Sequence, residues 1–217
     1  MRRAHNPVDA GNSQRERFMP RLTMFLGALL TIGSFCGCDH VFLDHPIGSP
    51  LRKEEGRKLD GTWYIPSAKQ HATSSTLQLK YVSDGRLVMA RLQWNEKQDR
   101  FEAIDSTLML TRLGDHSYCL FDKILDEGAQ GHWFFRFHHD ARKGELRLWS
   151  PSPEAFASVV RSGRLSGTVK QDKRSMTVRI TATPAELQEF FSKPEADELF
   201  ENPQNEVFAR RLEGWNK

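Results

Sequence analysis

Five side chains with metal-binding chemistry lie in the middle of the chain: His116, His132, His138, His139 and Asp140. A zinc site needs three or four such groups to converge on one ion. If this stretch is a β-strand, His132 and His138 share a face but lie roughly 20 Å apart along it. His138 and His139 then point to opposite faces. The spacing therefore favours histidines at a strand end and in a turn, and we predict no metal site.

A nucleophilic cysteine is the other catalytic arrangement that these residues suggest. Cys119 follows His116 by three residues, and residues three apart on a strand face opposite sides. The sequence holds no Gly-x-Ser-x-Gly, Ser-x-x-Lys, His-Glu-x-x-His or phosphate-loop motif. We therefore expect Cys119 to be a small buried residue, and the protein to be non-catalytic and without a cofactor. A hydrolase whose site is assembled from distant residues is an alternative.

The location of the charges bears on nucleic-acid binding. The chain has 31 basic and 28 acidic side chains, for a net charge of +3. Five of the basic and two of the acidic residues lie in residues 1–37, so the remaining 180 residues hold 26 of each sign. Neutralising phosphates takes clustered excess Lys and Arg. We therefore expect no nucleic-acid partner.

The N-terminal segment has the pattern of a secretory leader. Residues 22–38 read LTMFLGALLTIGSFCGC without a charge, and three arginines precede them closely. A cationic start, an apolar core of about 7–15 residues and small residues at its end make a signal peptide. A membrane-spanning helix takes about 20 apolar residues, which leaves an uncleaved anchor as the alternative. We predict a leader over residues 1–37, with translation starting at Met19, where a more ordinary leader begins.

The end of this segment, Phe35-Cys36-Gly37-Cys38, resembles the lipobox of bacterial lipoproteins. In that family the cysteine thiol is diacylated, the leader is cut before the cysteine, and the new amine is usually acylated. The resemblance covers residues 20–39 and implies lipid attachment at Cys38, although the first two residues of the motif depart from the commoner ones. Stable attachment takes two or more acyl chains. The resemblance thus implies a cell-membrane protein, tethered by palmitate-like chains on the exported side, periplasmic or extracellular.

The residues after the cysteine predict a linker. Between Pro46 and Pro50 two prolines and a glycine break regular structure, and the charged run Arg52–Lys58 has no apolar face. We therefore predict that residues 38–58 are the lipidated cysteine and a flexible tether. Asp39 resembles the enterobacterial signal for inner-membrane retention, but the sequence leaves the choice between inner and outer membrane open.

Residues 59–217 predict a single β-rich domain. Alternating apolar residues indicate strands near 62–65, 76–82, 86–94, 101–113, 117–124, 132–139, 145–149 and 175–182. Asp84-Gly85 is typical of a two-residue hairpin turn. Trp133, Phe135 and Phe137 share one face of a predicted strand, which is typical of a core. We expect a mainly β fold, an antiparallel meander or closed barrel-like sheet of about eight strands.

Local signals add a helical C-terminal segment. Pro153 at a first-turn position begins a helix that extends to Ser162. Thr183 as N-cap and Glu186 three residues later form a capping box before a second apolar face. The tail over residues 197–212 is expected to pack back on the sheet as a short helix and a last strand.

Gly61-Thr62-Trp63, at the start of the first predicted strand, resembles the Gly-x-Trp motif of lipocalins. In that family the tryptophan plugs the closed end of an eight-stranded barrel. The resemblance implies a lipocalin-like barrel that binds something apolar, with Trp63 as a core plug or ligand contact. The later Asp-Tyr and C-terminal Arg motifs of the family have no predicted counterpart, and residues 155–172 interrupt the meander.

These observations predict a membrane-anchored cell-envelope lipoprotein that is non-catalytic. Its partners would be membrane lipid, through acylated Cys38, and an apolar ligand or an envelope protein. The alternative is a structural or assembly module of the envelope without a small ligand. A ligand-sized apolar interior favours the first function, and an exposed apolar patch of several hundred Å² favours the second. Ligand identity and oligomeric state are not predictable from the sequence.

Overall fold

Twelve strands and three short helices make up the described part of the chain, which in this computed structural model comprises residues 39–66, 75–95, 98–124, 130–200 and 206–212. The strands are β1 (His40–Leu43), β2 (Ser49–Pro50), β3 (Gly61–Ile65), β4 (Ser75–Ser83), β5 (Arg86–Asn95), β6 (Arg100–Leu113), β7 (His116–Ile124), β8 (Gln130–Asp140), β9 (Glu145–Trp149), β10 (Gly167–Gln171), β11 (Met176–Ile180) and β12 (Glu206–Arg211). The helices are α1 (Lys53–Gly56), α2 (Pro153–Arg161) and α3 (Pro184–Phe191), with 3-10 turns at Arg57–Leu59 and Pro194–Phe200.

Eight of the strands close into an antiparallel barrel. Their order around the ring is β3-β4-β5-β6-β7-β8-β9-β12, and β12 pairs with β3 to complete it. Up to β9 the neighbours are consecutive in sequence, so the ring is a meander with one long insertion before its last strand. The predicted fold class is confirmed. Closure gives partners to both edges of the sheet, which would otherwise be exposed to pairing with other chains.

The strand that completes the barrel differs from the predicted eighth strand. The prediction over residues 175–182 corresponds to β11, which lies outside the ring and pairs with β10 and β1. The ring is completed instead by β12, from the tail for which a last strand was expected. β10 was not predicted, because its side chains are mostly polar and exposed and show no apolar alternation.

The prediction of a flexible tether is wrong for residues 39–58. β1 pairs in parallel with β11 from His40 to Leu43, and β2 pairs with β6. Leu43 and Ile47 are completely buried. A strand of four residues is too short to show a period, and its partner lies far away in sequence: Asp39 binds Met176, 137 residues further on. The leader over residues 1–37, Met19 and Cys38 lie outside the described residues.

Apolar side chains pack on both the inner and the outer face of the barrel sheet. Inside the barrel, alternate residues of each strand are buried, among them Leu79, Leu87 and Leu110. On the outer face, Tyr118, Leu120 and Phe134 pack against aromatic rings of α2, α3 and the last 3-10 turn, namely Phe156, Phe191 and Phe200. The barrel is thus covered on one side by the insertion between β9 and β12.

The local signals that begin the helices and the first hairpin are confirmed. The Thr183 hydroxyl accepts the backbone N–H of Glu186 at 3.3 Å, and the Glu186 carboxylate accepts the N–H of Thr183 at 2.7 Å. Pro153 opens α2, whose N-cap is Ser152. In the β4–β5 turn Asp84 and Gly85 have φ of 50° and 76°, the left-handed pair of a two-residue hairpin.

Candidate functional site

The interior of the barrel is sealed at the end where β3 begins, which we call the closed end. Trp63 is 0% exposed there, and its indole Nε1 donates to the carbonyl of Leu59 at 2.9 Å. Its ring meets the edge of the His139 ring, with centroids 5.5 Å apart. Since β12 and β9 separate the strands of these two residues in the ring, this contact crosses the barrel interior.

Arg211 completes the closed end from the last strand. Its Cζ lies 5.0 Å from the centroid of the Trp63 indole, within cation–π range. Its Nη2 donates to the backbone carbonyl of Asp60 at 3.0 Å and also to that of Lys58. The Arg211 side chain therefore contacts both the 3-10 turn before β3 and the tryptophan of β3, and so connects β12 to both.

Sequence reasoning did not identify Arg211. The weak signal was the alternation of β12, in which Val207, Ala209 and Arg211 share a face. That alternation places Arg211 on the interior side, whereas the adjacent Arg210 is exposed. Only the pairing of β12 with β3, which sets Arg211 directly opposite Trp63, makes the contact visible.

The surroundings of His139 disfavour its charged form. Burial lowers the pKa of His139, and the positive charge of Arg211 lowers it further. Its Nε2 atom is buried and has no hydrogen-bond partner in the described part of the protein. A charged imidazolium is therefore disfavoured at the closed end, where the ring acts as packing against the indole.

The other candidate metal ligands bind separate partners. His116 Nε2 lies 3.0 Å from Asp197 Oδ1, and His132 Nδ1 lies 2.9 Å from Asp122 Oδ1. His138 is exposed. Asp140 accepts the backbone N–H groups of the turn that follows it, at 3.0 and 3.2 Å. Within residues 39–66, 75–95, 98–124, 130–200 and 206–212, no three His, Cys, Asp or Glu side chains could hold a metal together.

Cys119 is buried on the interior side of the barrel, as predicted. It is 3% exposed, and burial raises the pKa of its thiol to about 12. His116 lies on the opposite face of the strand, beside Asp197. A thiol that stays protonated at physiological pH is not a nucleophile.

Burial of the interior side chains changes along the barrel. Near the closed end Trp63 and Leu87 are buried, while His139 and Arg211 are partly exposed. Toward the opposite end, which we call the far end, Ile104, Phe121 and Phe135 are partly exposed, although Trp133 is buried. Phe121 and Phe135 pack edge to face, with centroids 5.6 Å apart. Arg91, also on this interior side, is buried, and desolvation lowers its pKa. The far end thus combines apolar surface with a cation.

The predicted aromatic face of β8 belongs to the same interior. Trp133 and Phe137 are buried and Phe135 is partly so. The intervening Phe134 is buried in the outer layer. Phe134 thus adds one apolar residue to an otherwise polar outer face, which explains the unbroken aromatic run over residues 133–135.

No protein-family model, curated protein or solved structure matches this chain.

No helix in the described ranges is long and apolar enough to cross a membrane.

Proposed function

We propose that this protein is a lipid-anchored cell-envelope carrier, non-catalytic, whose barrel binds an apolar ligand through the far end. The observation that carries the proposal is the partial exposure of apolar interior side chains at the far end of the closed barrel, such as Phe121 and Phe135. At the other end Trp63 is fully buried, and Arg211 lies over its ring. A barrel of eight strands has an interior that is either filled by side chains or able to hold one small ligand.

The closed end supports a lipocalin-like type of barrel. Gly61-Thr62-Trp63 opens the first barrel strand, and Arg211 of the last strand lies over the indole. The contact of a C-terminal arginine with this tryptophan supports the proposed resemblance. Barrels of this architecture serve many functions, so the ligand is a matter for direct measurement.

The proposed anchor is the acylated Cys38. Its support is the uncharged run of residues 22–38, the Gly37-Cys38 ending and the polar residues that follow. Two or more acyl chains hold a protein stably on a bilayer. The barrel strands hydrogen-bond to one another, and α2 and α3 cover one side of the barrel. Lipid on Cys38 would then tether a domain that otherwise faces water.

Ligand binding is tested with an environment-sensitive naphthylamine probe, whose emission rises in an apolar site. Ile104 faces the interior at the far end, and its neighbour Ala103 faces outward on the same strand. We expect Ile104→Glu to weaken probe binding roughly tenfold or more, because a polar carboxylate opposite Arg91 would replace apolar contact surface in the site. Ala103→Glu is the matched control and should bind as the unmodified protein does.

The result that contradicts the carrier proposal is equally specific. If the probe does not bind, or if both variants bind it equally well with circular dichroism unchanged, the barrel interior is not a ligand site. Anchoring is tested separately by comparing the membrane fraction of cells that express the unmodified chain and Cys38→Ser. Equal membrane retention of the two would contradict lipid attachment at Cys38.

A second function, binding of an envelope protein partner, is favoured by one surface. Leu92 and Phe101 are 51% and 64% exposed on the outer face of the barrel. Leu92 pairs with Ala103, two residues from Phe101, so the two apolar side chains are diagonal neighbours on adjacent strands. Cross-linking from a photoreactive residue at position 92 in intact cells would test whether another protein lies there.

A further inference from the structure

The folded domain begins immediately after the proposed lipid attachment site. Asp39 Oδ1 accepts the backbone N–H of Met176 at 2.5 Å, and His40 already belongs to β1, aligned with Thr177 of β11. Cys38 precedes Asp39 by one peptide bond, and consecutive Cα atoms are about 3.8 Å apart. Acyl chains on Cys38 would therefore hold this part of the domain at the membrane surface without a spacer.

The element beside Asp39 is the turn that joins β10 to β11. β1 and β11 are parallel, so the start of β1 and the turn before β11 lie at the same end of the two strands. Gln171 pairs with Met176 across the hairpin. The turn over residues 172–175 therefore projects beyond Met176, the residue that Asp39 binds.

Asp172 fixes the shape of this turn. Its Oδ1 accepts the backbone N–H groups of Arg174 and Ser175, each at 2.8 Å, and its Oδ2 accepts the Ser175 hydroxyl at 2.9 Å. These hydrogen bonds lower the pKa of the Asp172 carboxyl, and the one from the Arg174 backbone N–H has the largest effect. The acid is thus engaged with the backbone of the turn, which holds the following side chains in a defined position.

Cations predominate around the turn. Four exposed basic side chains lie there: Arg161, Lys170, Lys173 and Arg174. Arg161 reaches the hairpin through a 3.1 Å hydrogen bond from Nη2 to Gln171 Oε1. The nearby acids, Asp39 and Asp172, both accept backbone N–H groups. Because the chain after residue 37 is neutral as a whole, this local excess is not a consequence of general basicity.

We propose that the β10–β11 turn contacts anionic phospholipid headgroups and so fixes the orientation of the domain on the membrane. The inference rests on the proposed anchor at Cys38, which brings the turn to the surface. Basic residues close to an anionic bilayer are attracted to it within about a Debye length. The lipid anchor would bring the domain close to the membrane surface, and contact of the turn with the headgroups would set the orientation of the domain.

The test uses full-length protein whose acylation at Cys38 is verified by mass, reconstituted in phosphatidylcholine vesicles with or without phosphatidylglycerol. Gln171→Cys carries a fluorophore, and a nitroxide on the lipid headgroups quenches it on contact. Every variant compared carries Gln171→Cys, so the loss of the hydrogen bond from Arg161 is common to all of them. Labelling is confined to position 171, because Cys119 is buried with a thiol pKa of about 12 and Cys36 is removed with the leader.

We expect quenching that requires phosphatidylglycerol and that weakens in Lys173→Gln/Arg174→Gln. Each basic residue at an anionic surface is worth roughly a fivefold change in the ratio of docked to undocked domain. The charge-preserving Lys173→Arg/Arg174→Lys should keep the quenching. Arg142→Gln/Lys143→Gln makes the same charge change in the β8–β9 turn, and should also keep it.

Two results would overturn the inference, and they are distinguishable. Acylated protein with equal quenching in both lipid compositions, or equal losses in the two glutamine variants, removes the role of this turn and leaves the anchor in place. Protein without acyl chains on Cys38 removes both the anchor and the orientation that depends on it.

Discussion

Arg211 lies over the indole of Trp63, with its Cζ 5.0 Å from the ring centroid, and donates to the backbone carbonyls of Lys58 and Asp60. The contact joins the first and last strands of the barrel at the end where the ring closes. A guanidinium that satisfies two carbonyls and covers an aromatic ring both completes hydrogen bonds and excludes water. We regard the contact between Arg211 and Trp63 as the main interaction that stabilises the closed end.

Removal of the Arg211 side chain should lower the stability of the protein. We expect Arg211→Ala to lower the free energy of unfolding by about 2–4 kcal/mol, because two carbonyls lose their donor and the indole loses its cover. The matched control is Arg210→Ala: Arg210 is exposed and lies over Phe208 at 5.2 Å, so a loss of about 0.5 kcal/mol is expected. Urea unfolding monitored by tryptophan fluorescence measures both. Equal losses in the two variants would show that Arg211 has no special role.

Stability should depend on the protonation of His139. Its pKa is lower in the folded state than the ordinary value of about 6.5, so the unfolded chain binds the proton more readily. The contribution is fully present above pH 6.5 and is lost as the pH falls below it, because the unfolded state then takes up protons first.

The variant His139→Gln isolates this effect. Between pH 7 and pH 5 the free energy of unfolding should decrease less steeply in His139→Gln than in the unmodified protein. An identical slope in the two proteins would contradict a lowered pKa at His139.

The Cys119 thiol should be inert in the folded protein. A buried thiol with a pKa of about 12 is almost entirely protonated at pH 8, and only the thiolate attacks a disulfide reagent. We expect the mature protein, which begins at Cys38 and is acylated there, not to react with an aromatic disulfide reagent at pH 8 until urea unfolds it, which should then release one equivalent. Rapid labelling under native conditions would contradict the burial of Cys119.

The helix start at Thr183 should contribute measurably. Thr183→Ala removes the side chain that accepts the Glu186 N–H, and loss of an N-cap costs about 1 kcal/mol. Thr181→Ala, at an exposed position just outside the helix, should be close to neutral. Chemical unfolding distinguishes them, and an unchanged midpoint for Thr183→Ala would contradict the role of the cap.

Seven of the eight barrel strands, β3 to β9, were predictable from alternating apolar residues in their own sequences. In β4, Leu77, Leu79 and Tyr81 face inward and are buried, which is the alternation that the sequence displays. The hairpin at Asp84 and Gly85 was predictable for a local reason, since both residues need a positive φ.

Elements that depend on distant partners were not predictable. β1 has four residues, and only its pairing with β11 makes it a strand. The contact between Arg211 and Trp63 depends on closure of the ring, which no local pattern encodes. The same holds for the basic turn beside Asp39, because residues 39 and 176 meet only in the folded domain.

A native mass spectrum of the protein, gently extracted from its own membranes, tests the central claim most directly. The account predicts a chain that begins at Cys38, carries acyl chains and retains a non-covalently bound apolar molecule. An unacylated chain that still includes residues 1–37 and carries no bound molecule would contradict the proposal of a lipid-anchored carrier.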